Sequence, residues 1–303
     1  MSLFNTLVAS AIPLAPRALI RKVSGRYIAG DTVADAIRRV AALNAAGFSA
    51  TVDVLGETVE SLSQADNTTS EYLQVLEAIA RDGLRANISV KPTALGLLLD
   101  QAHCERNLEC LLDAAKAHAT FVRIDMEDAS CTQREIDLLL RLKSRGYGNV
   151  GLVLQAYLKR TDSDITPLLG MRENLRICKG IYVEEREHLV EGAWNDRSAI
   201  NPHFLRQVAR CFDSGTFVGV ATHDEELVDQ VIELARSRRI AGTAFEFQML
   251  LGVRESLRDR LLAEGYAVRI YVPYGKDWYG YSMRRIKENP SIAGHLLRAL
   301  LTR

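Results

Sequence analysis

Eight short runs rich in β-branched and aromatic residues recur along the chain, at 50–55, 88–92, 121–126, 150–157, 175–182, 217–223, 244–250 and 268–272. Between most of them lie segments with the apolar spacing of an amphipathic helix, at 71–82, 95–117, 135–144, 202–213, 225–238 and 256–262. Strands that alternate with helices predict βαβ units and a parallel sheet. Eight such units in about 250 residues match the count and size of a (β/α)8 barrel. A doubly wound sheet is the alternative, but no linker or shift in composition divides the chain. The expectation is one domain over residues 1–303, with 1–46 as an added N-terminal helical extension. Within that extension, 32–46 has helical spacing, capped by Thr32 or Asp31 and stopped by Gly47.

The charge balance removes some functions. Lys plus Arg and Asp plus Glu both number 38, so no global field favours nucleic acid or anionic lipid, and any anion site must be local. The five cysteines show no paired spacing, which argues against a zinc site or a disulfide framework and fits a reducing cytoplasm. Two Asn-x-Ser/Thr triplets, at Asn67 and Asn87, lack the secretory signal that would give them meaning. No stretch reaches the ~20 apolar residues of a membrane span, which leaves peripheral contact with a membrane open. The six histidines form neither HxH nor HExxH, and no GxSxG is present. Residues 146–151 fit GxGxxG by letter, but they close a helix and open a strand. A dinucleotide loop needs the reverse order, so these glycines read as a helix stop and turn.

In a parallel barrel the working face is the C-terminal end of the strands. Polar side chains gather there: Asp53 and Glu57; Lys91; Arg123, Asp125, Glu127 and Asp128; Gln155 and Tyr157; Arg176, Lys179 and Tyr182; Thr222, His223 and Asp224; Glu246 and Gln248; Tyr271 and Tyr274. Singly, each has a structural explanation. Arg123, Asp125 and Glu127 could form a buried ion network, and His223 could cap the following helix. Taken together, their mixed signs suit a large polar cofactor better than a nucleophile triad. Lys91 or Lys179 could instead form a Schiff base. After the last strand, 271–290 reads as a strand end, a turn at Gly275 and a short helix from Asp277. Tyr281, Arg284, Arg285 and Glu288 fall at i, i+3, i+4 and i+7 on one face, the spacing of an anion clamp or of a solvated charge pair.

From about Asp53 to Pro290 the chain resembles the bacterial monofunctional proline dehydrogenases. The resemblance is carried by collinear blocks: DVLGE, SVK, FVRIDMED, VGLVLQAY, LRICKGIY, VGVATHDE, FEFQMLLGV, VRIYVPYGKDWYGY and YSMRRIKEN. It implies a distorted (β/α)8 barrel holding FAD non-covalently at the strand C-termini. The implied reaction is oxidation of L-proline to Δ1-pyrroline-5-carboxylate, with electrons passed to quinone. That places the chain in the cytoplasm, with peripheral contact at the inner face of the membrane. Asp125 and Arg176 correspond to the catalytic positions. Arg284, Arg285 and Lys91 would hold the substrate carboxylate, with Glu288 near its nitrogen, Tyr281 against its ring and Tyr271 closing the pocket. Met126, Gln155, Lys179, Gly180, Ile181, Thr222, His223 and Gln248 fall on flavin-contacting positions.

Two positions depart from the family pattern. Pro92 follows Lys91 where an apolar or hydroxyl residue is commoner, and Ile181 stands where KGAY is the commoner form. The resemblance also implies proline over hydroxyproline, since relatives acting on hydroxyproline carry a smaller residue at the position of Tyr281. Besides a proline or hydroxyproline dehydrogenase, a Schiff-base aldolase and a non-catalytic amino-acid-binding barrel stay open.

Overall fold

The computed structural model describes residues 20–21, 24–56, 59–171 and 173–288, with 284–288 as helical backbone only. Eight parallel strands close into a barrel in sequence order. They are β1 (Ser49–Val54), β2 (Ala86–Val90), β3 (Val122–Ile124), β4 (Val150–Gln155), β5 (Asn174–Cys178), β6 (Phe217–Ala221), β7 (Phe245–Leu250) and β8 (Val268–Tyr274). Helix α1 (Val33–Ala45) precedes β1. The connections carry α2 (Leu62–Arg81), α3 (Gln101–Ala117), α4 (Thr132–Ser144), α5 (Thr161–Gly170), α6 (Asn201–Ser214), α7 (Glu225–Ser237) and α8 (Glu255–Ala263), and α9 (Trp278–Glu288) follows β8.

Period-two alternation decides where the core sits. Val52, Ile88, Ile124, Leu152, Ile177, Val220, Phe247 and Ile270 are all fully buried and belong to the apolar core that the strands share with the helices. The alternate positions, among them Thr51, Ser89, Arg123, Arg176, Glu246, Gln248 and Arg269, turn polar groups into the barrel, where hydrogen bonds between and along the strands join them. Asn87 also points inward and accepts a hydrogen bond from Thr51, so its triplet is part of the barrel wall.

Local chemistry explains the helix ends. Thr32 caps α1, and the Asp35 carboxylate accepts the Thr32 N–H at 3.1 Å in return, closing a capping box. Asp224 caps α7 by accepting from Leu227 N. The glycines at 146–151 are a helix stop and a strand start, with Gly146 at φ +90° just past α4.

Two helical expectations differ from the structure, and a third helix matches none. Helix α2 begins nine residues earlier than its apolar periodicity shows, because Ser61 caps it and its first half presents only small residues such as Ala65 and Thr69 to the core. The 95–117 segment is interrupted: Pro92–Leu95 form a 3-10 turn, Gly96 takes φ +98°, and Asp100 caps a fresh helix at Gln101. Helix α5 had no clear signature, since it contains Pro167 and buries few residues.

Helix α1 packs outside β1 and β8, while α9 starts from the barrel rim. The chain turns there at Gly275, whose φ is +134° and whose N–H donates to the Gly30 carbonyl at 3.0 Å. Tyr281 on the second turn of α9 is buried against Ile28 and Leu55, which pins the helix start over the mouth.

Candidate active site

A cavity of about 560 Å³ opens at the C-terminal end of the barrel. Its wall contains Lys91, Asp125, Met126, Gln155, Arg176, Lys179, Gly180, Ile181, Thr222, His223, Gln248, Tyr271 and Tyr281. Much of the polar set read at the strand ends therefore lines one cavity, while Asp53, Arg123, Glu127, Asp128, Tyr157, Glu246 and Tyr274 lie outside its wall. Helix α9 carries Arg284, Arg285 and Glu288, whose side chains lie outside the described residues, as does Glu57.

At the cavity floor, Asp125 is the hub. Its Oδ1 accepts from Ser89 Oγ at 2.6 Å and from Arg176 Nη1 at 2.8 Å, and its Oδ2 accepts from the Tyr271 hydroxyl at 2.9 Å. Arg176 also lies over the Tyr271 ring, 5.5 Å from its centroid. Burial first, then the facing carboxylates of Asp125 and Asp53, push the Tyr271 phenol well above its ordinary range, so it stays a donor. Each of these groups is held by another protein group.

Beside the hub, Lys91 Nζ reaches Asp53 Oδ1 at 2.7 Å, with the carboxylate almost fully buried. Burial raises the Asp53 carboxyl, and the Lys91 charge pulls it back down. Tyr72 closes this corner, donating to the Ser89 carbonyl at 2.8 Å and accepting from Val54 N at 3.1 Å.

The opposite wall is built from β4, β5 and β6. Gln155 donates to the Glu127 carbonyl at 2.8 Å, and Thr161 at the start of α5 donates to the Gln155 carbonyl at 2.6 Å. Lys179 Nζ pairs with Asp224 at 2.7 Å. Gly180 takes φ +102°, and a Cβ there would lie 2.3 Å from the Tyr157 ring, so only glycine lets the backbone pass. His223 does not cap α7; its Nε2 accepts from Leu250 N at 2.8 Å, which ties the β6 end to β7. Cys178 lines the cavity, but burial pushes its thiol up to about 11, so it is no nucleophile at neutral pH.

Arg123 is buried deeper, and it bonds to Asn174 rather than to a carboxylate. Glu127 lies beyond the strand and accepts from Thr93 N at 2.9 Å. Two contributors escaped the reading of the sequence. Ser89 sits two residues before Lys91 on the inward face, so strand period alone could have found it. Arg197 lines the cavity and donates to the Gly180 carbonyl at 2.6 Å; it opens a 3-10 turn, Arg197–Ile200, too short to give a periodic signal. Among the described residues, the one carboxylate and histidine cluster able to hold a metal ion is Glu185, Glu187 and His188, exposed and outside the cavity wall.

Comparison with known proteins gives a consistent result. The family model described as proline dehydrogenase matches residues 36–298. Proline dehydrogenase 2 of Bacillus subtilis is 38% identical over 271 residues, covering 89% of this chain and 88% of the relative. The proline dehydrogenase of Deinococcus radiodurans is 34% identical over 280 residues, covering 91% and 89%. Among solved structures, proline utilization A from Bdellovibrio bacteriovorus, inactivated by N-propargylglycine, superposes with a TM-score of 0.81. The identity is 22%, over 89% of this chain and 33% of that one, which speaks to the fold. With a family match across most of its length and relatives this similar over nearly their whole length, the chain belongs to the proline dehydrogenase family.

Proposed function

We propose that the chain oxidises L-proline to Δ1-pyrroline-5-carboxylate, with FAD held non-covalently in the barrel cavity and quinone as the electron acceptor. The observation that carries this reading is the Tyr271–Asp125–Arg176 group, with Asp125 and Arg176 buried, on the floor of a cavity rich in hydrogen-bond donors. The donor set fits the cofactor. Lys179 and Arg197 offer cations to a pyrophosphate; Gln155, Gln248, Thr222 and His223 offer polar groups to ring edges and ribose; and Gly180 lets the backbone approach closely, beside Met126 and Ile181. When bound, the flavin supplies the hydride acceptor.

The chain's own residues orient and polarise. Lys91, Arg284 and Arg285 grip the substrate carboxylate, which fixes the ring carbon beside the nitrogen. This cationic cluster also lowers the amine pKa, favouring the neutral amine that oxidation needs. Tyr281 packs against the substrate ring, Glu288 lies near its nitrogen, and Tyr271 closes the floor. The positive charge of Arg176 favours a reduced, anionic cofactor.

The reading extends to one catalytic domain over 1–303, with 1–46 as its helical extension, in the cytoplasm and touching the inner face of the membrane peripherally. No helix among the described residues is long and apolar enough to cross a membrane. A Schiff-base aldolase is disfavoured, because Lys91 and Lys179 each engage a carboxylate at 2.7 Å, which ties the amine into an ion pair instead of leaving it to attack a carbonyl. The test is the flavin itself. The purified protein should be yellow and release FAD on denaturation; a colourless protein that takes up no FAD, with a carbonyl adduct trapped by borohydride, would favour the aldolase.

A further inference from the structure

Deeper in the barrel, below Arg176, lies a second hydrogen-bonded group, of which the proposed chemistry uses only Gln248. Arg176, Gly219 and Glu246 are register neighbours across β5, β6 and β7. Gly219 leaves a gap on that row, and a Cβ there would lie 2.4 Å from Gln248 Nε2. The Gln248 amide fills the gap. Its oxygen accepts from Arg176 Nε, and its nitrogen donates to Glu246 Oε1 at 2.7 Å. A guanidinium offers only donors and a carboxylate only acceptors, so a single amide orientation satisfies both neighbours. Glu246 is fixed in turn by Arg269, whose Nε donates to the same oxygen at 2.6 Å and whose Nη1 donates to the Ala50 carbonyl at 2.8 Å. Gln248 and Glu246 are buried, which leaves little room for water to replace these bonds.

We propose that Glu246 is a positioning residue that acts on Arg176 through Gln248. Glu246 sets the orientation of the amide, and the amide fixes the guanidinium plane that presents Nη1 to Asp125. Without the carboxylate, Gln248 can turn its nitrogen toward Arg176, where donor meets donor. The bond at Nε is then lost, and the guanidinium tilts away from Asp125. The structural part of this inference stands alone; its kinetic consequence rests on the proposed proline oxidation.

The test uses FAD-loaded protein labelled with 15N-arginine, in which the Arg176 Nε–H signal is identified by its loss in Arg176→Lys. Glu246→Met and Gly219→Ala are each expected to speed exchange of that proton with water about tenfold or more. Each should also lower kcat for proline about tenfold, with KM held within about twofold, as expected when orientation is lost and binding is not. Glu246→Gln, whose single amide oxygen can accept both bonds, should stay near wild type. Gly219→Ala leaves the Glu246–Arg269 pair intact, so it decides the matter if Glu246→Met does not fold. Unchanged exchange in Gly219→Ala, or Glu246→Gln behaving like Glu246→Met, overturns the proposal. Fast exchange in the variants of a protein that never oxidises proline supports the positioning role and sinks the proposed function instead.

Discussion

The Tyr271 hydroxyl donates to Asp125 Oδ2 at 2.9 Å while Arg176 holds Oδ1 at 2.8 Å, so one buried carboxylate is gripped from both sides by β5 and β8. Tyr271→Phe removes one grip and leaves the ring stacked on Arg176. A hydrogen bond to a charged group contributes about 1.5–3 kcal/mol, so kcat/KM for proline should fall roughly 10- to 100-fold. Steady-state kinetics check this; a Tyr271→Phe enzyme with wild-type efficiency would show that the hydroxyl does not matter.

The Lys91–Asp53 pair predicts a stability effect separate from catalysis. Removing one partner of a buried pair leaves an uncompensated charge and costs roughly 3–5 kcal/mol. Lys91→Met should therefore destabilise strongly, since the Asp53 side chain is only 1% exposed. Asp53→Asn in the same chain should restore part of the loss. Denaturant unfolding of the two single variants and the double variant gives the coupling; simple additivity would mean that the pair is not coupled.

Glu135 on α4 predicts a pH dependence. It is fully buried, and burial, reinforced by Glu127, holds its carboxyl well above the ordinary range. The folded state thus binds this proton more tightly than the unfolded chain does. The resulting stabilisation is fully present below the ordinary value of 4.5 and is lost as pH rises through the raised folded value. Glu135→Gln keeps an acceptor for the Glu127 N–H, bound at 3.1 Å in the native protein, and does not titrate. Its Tm relative to wild type should climb as pH rises above the ordinary carboxyl value of 4.5. A constant offset would contradict the raised carboxyl.

Much of this was legible because the strands obey period two. The alternation that buries Val52, Ile88 and Ile124 outside the barrel also turns Thr51, Ser89 and Asp125 inward, so barrel class and rim chemistry come from one pattern. The pairings were not legible. Arg176 and Gln248 are 72 residues apart, and which inward groups meet depends on the stagger of the closed barrel. Helix α5 hid behind Pro167 and a mixed face, and Arg197 sits where no periodicity applies. Spacing left the face of α9 ambiguous, and the proposal that it is a clamp came from the resemblance.

That clamp has its own test. Arg285→Met should raise the KM for proline by one or more orders of magnitude, the effect of losing ~1.5–3 kcal/mol of charge-assisted bonding. Unchanged proline kinetics would remove Arg285 from the carboxylate site.

The most direct measurement is anaerobic titration of the purified, FAD-loaded protein with L-proline, followed by flavin absorbance. The account predicts that L-proline bleaches the oxidised flavin band and that the product traps as Δ1-pyrroline-5-carboxylate, with trans-4-hydroxy-L-proline much less effective. A flavin band that L-proline leaves unchanged, in protein that holds the cofactor, would contradict it.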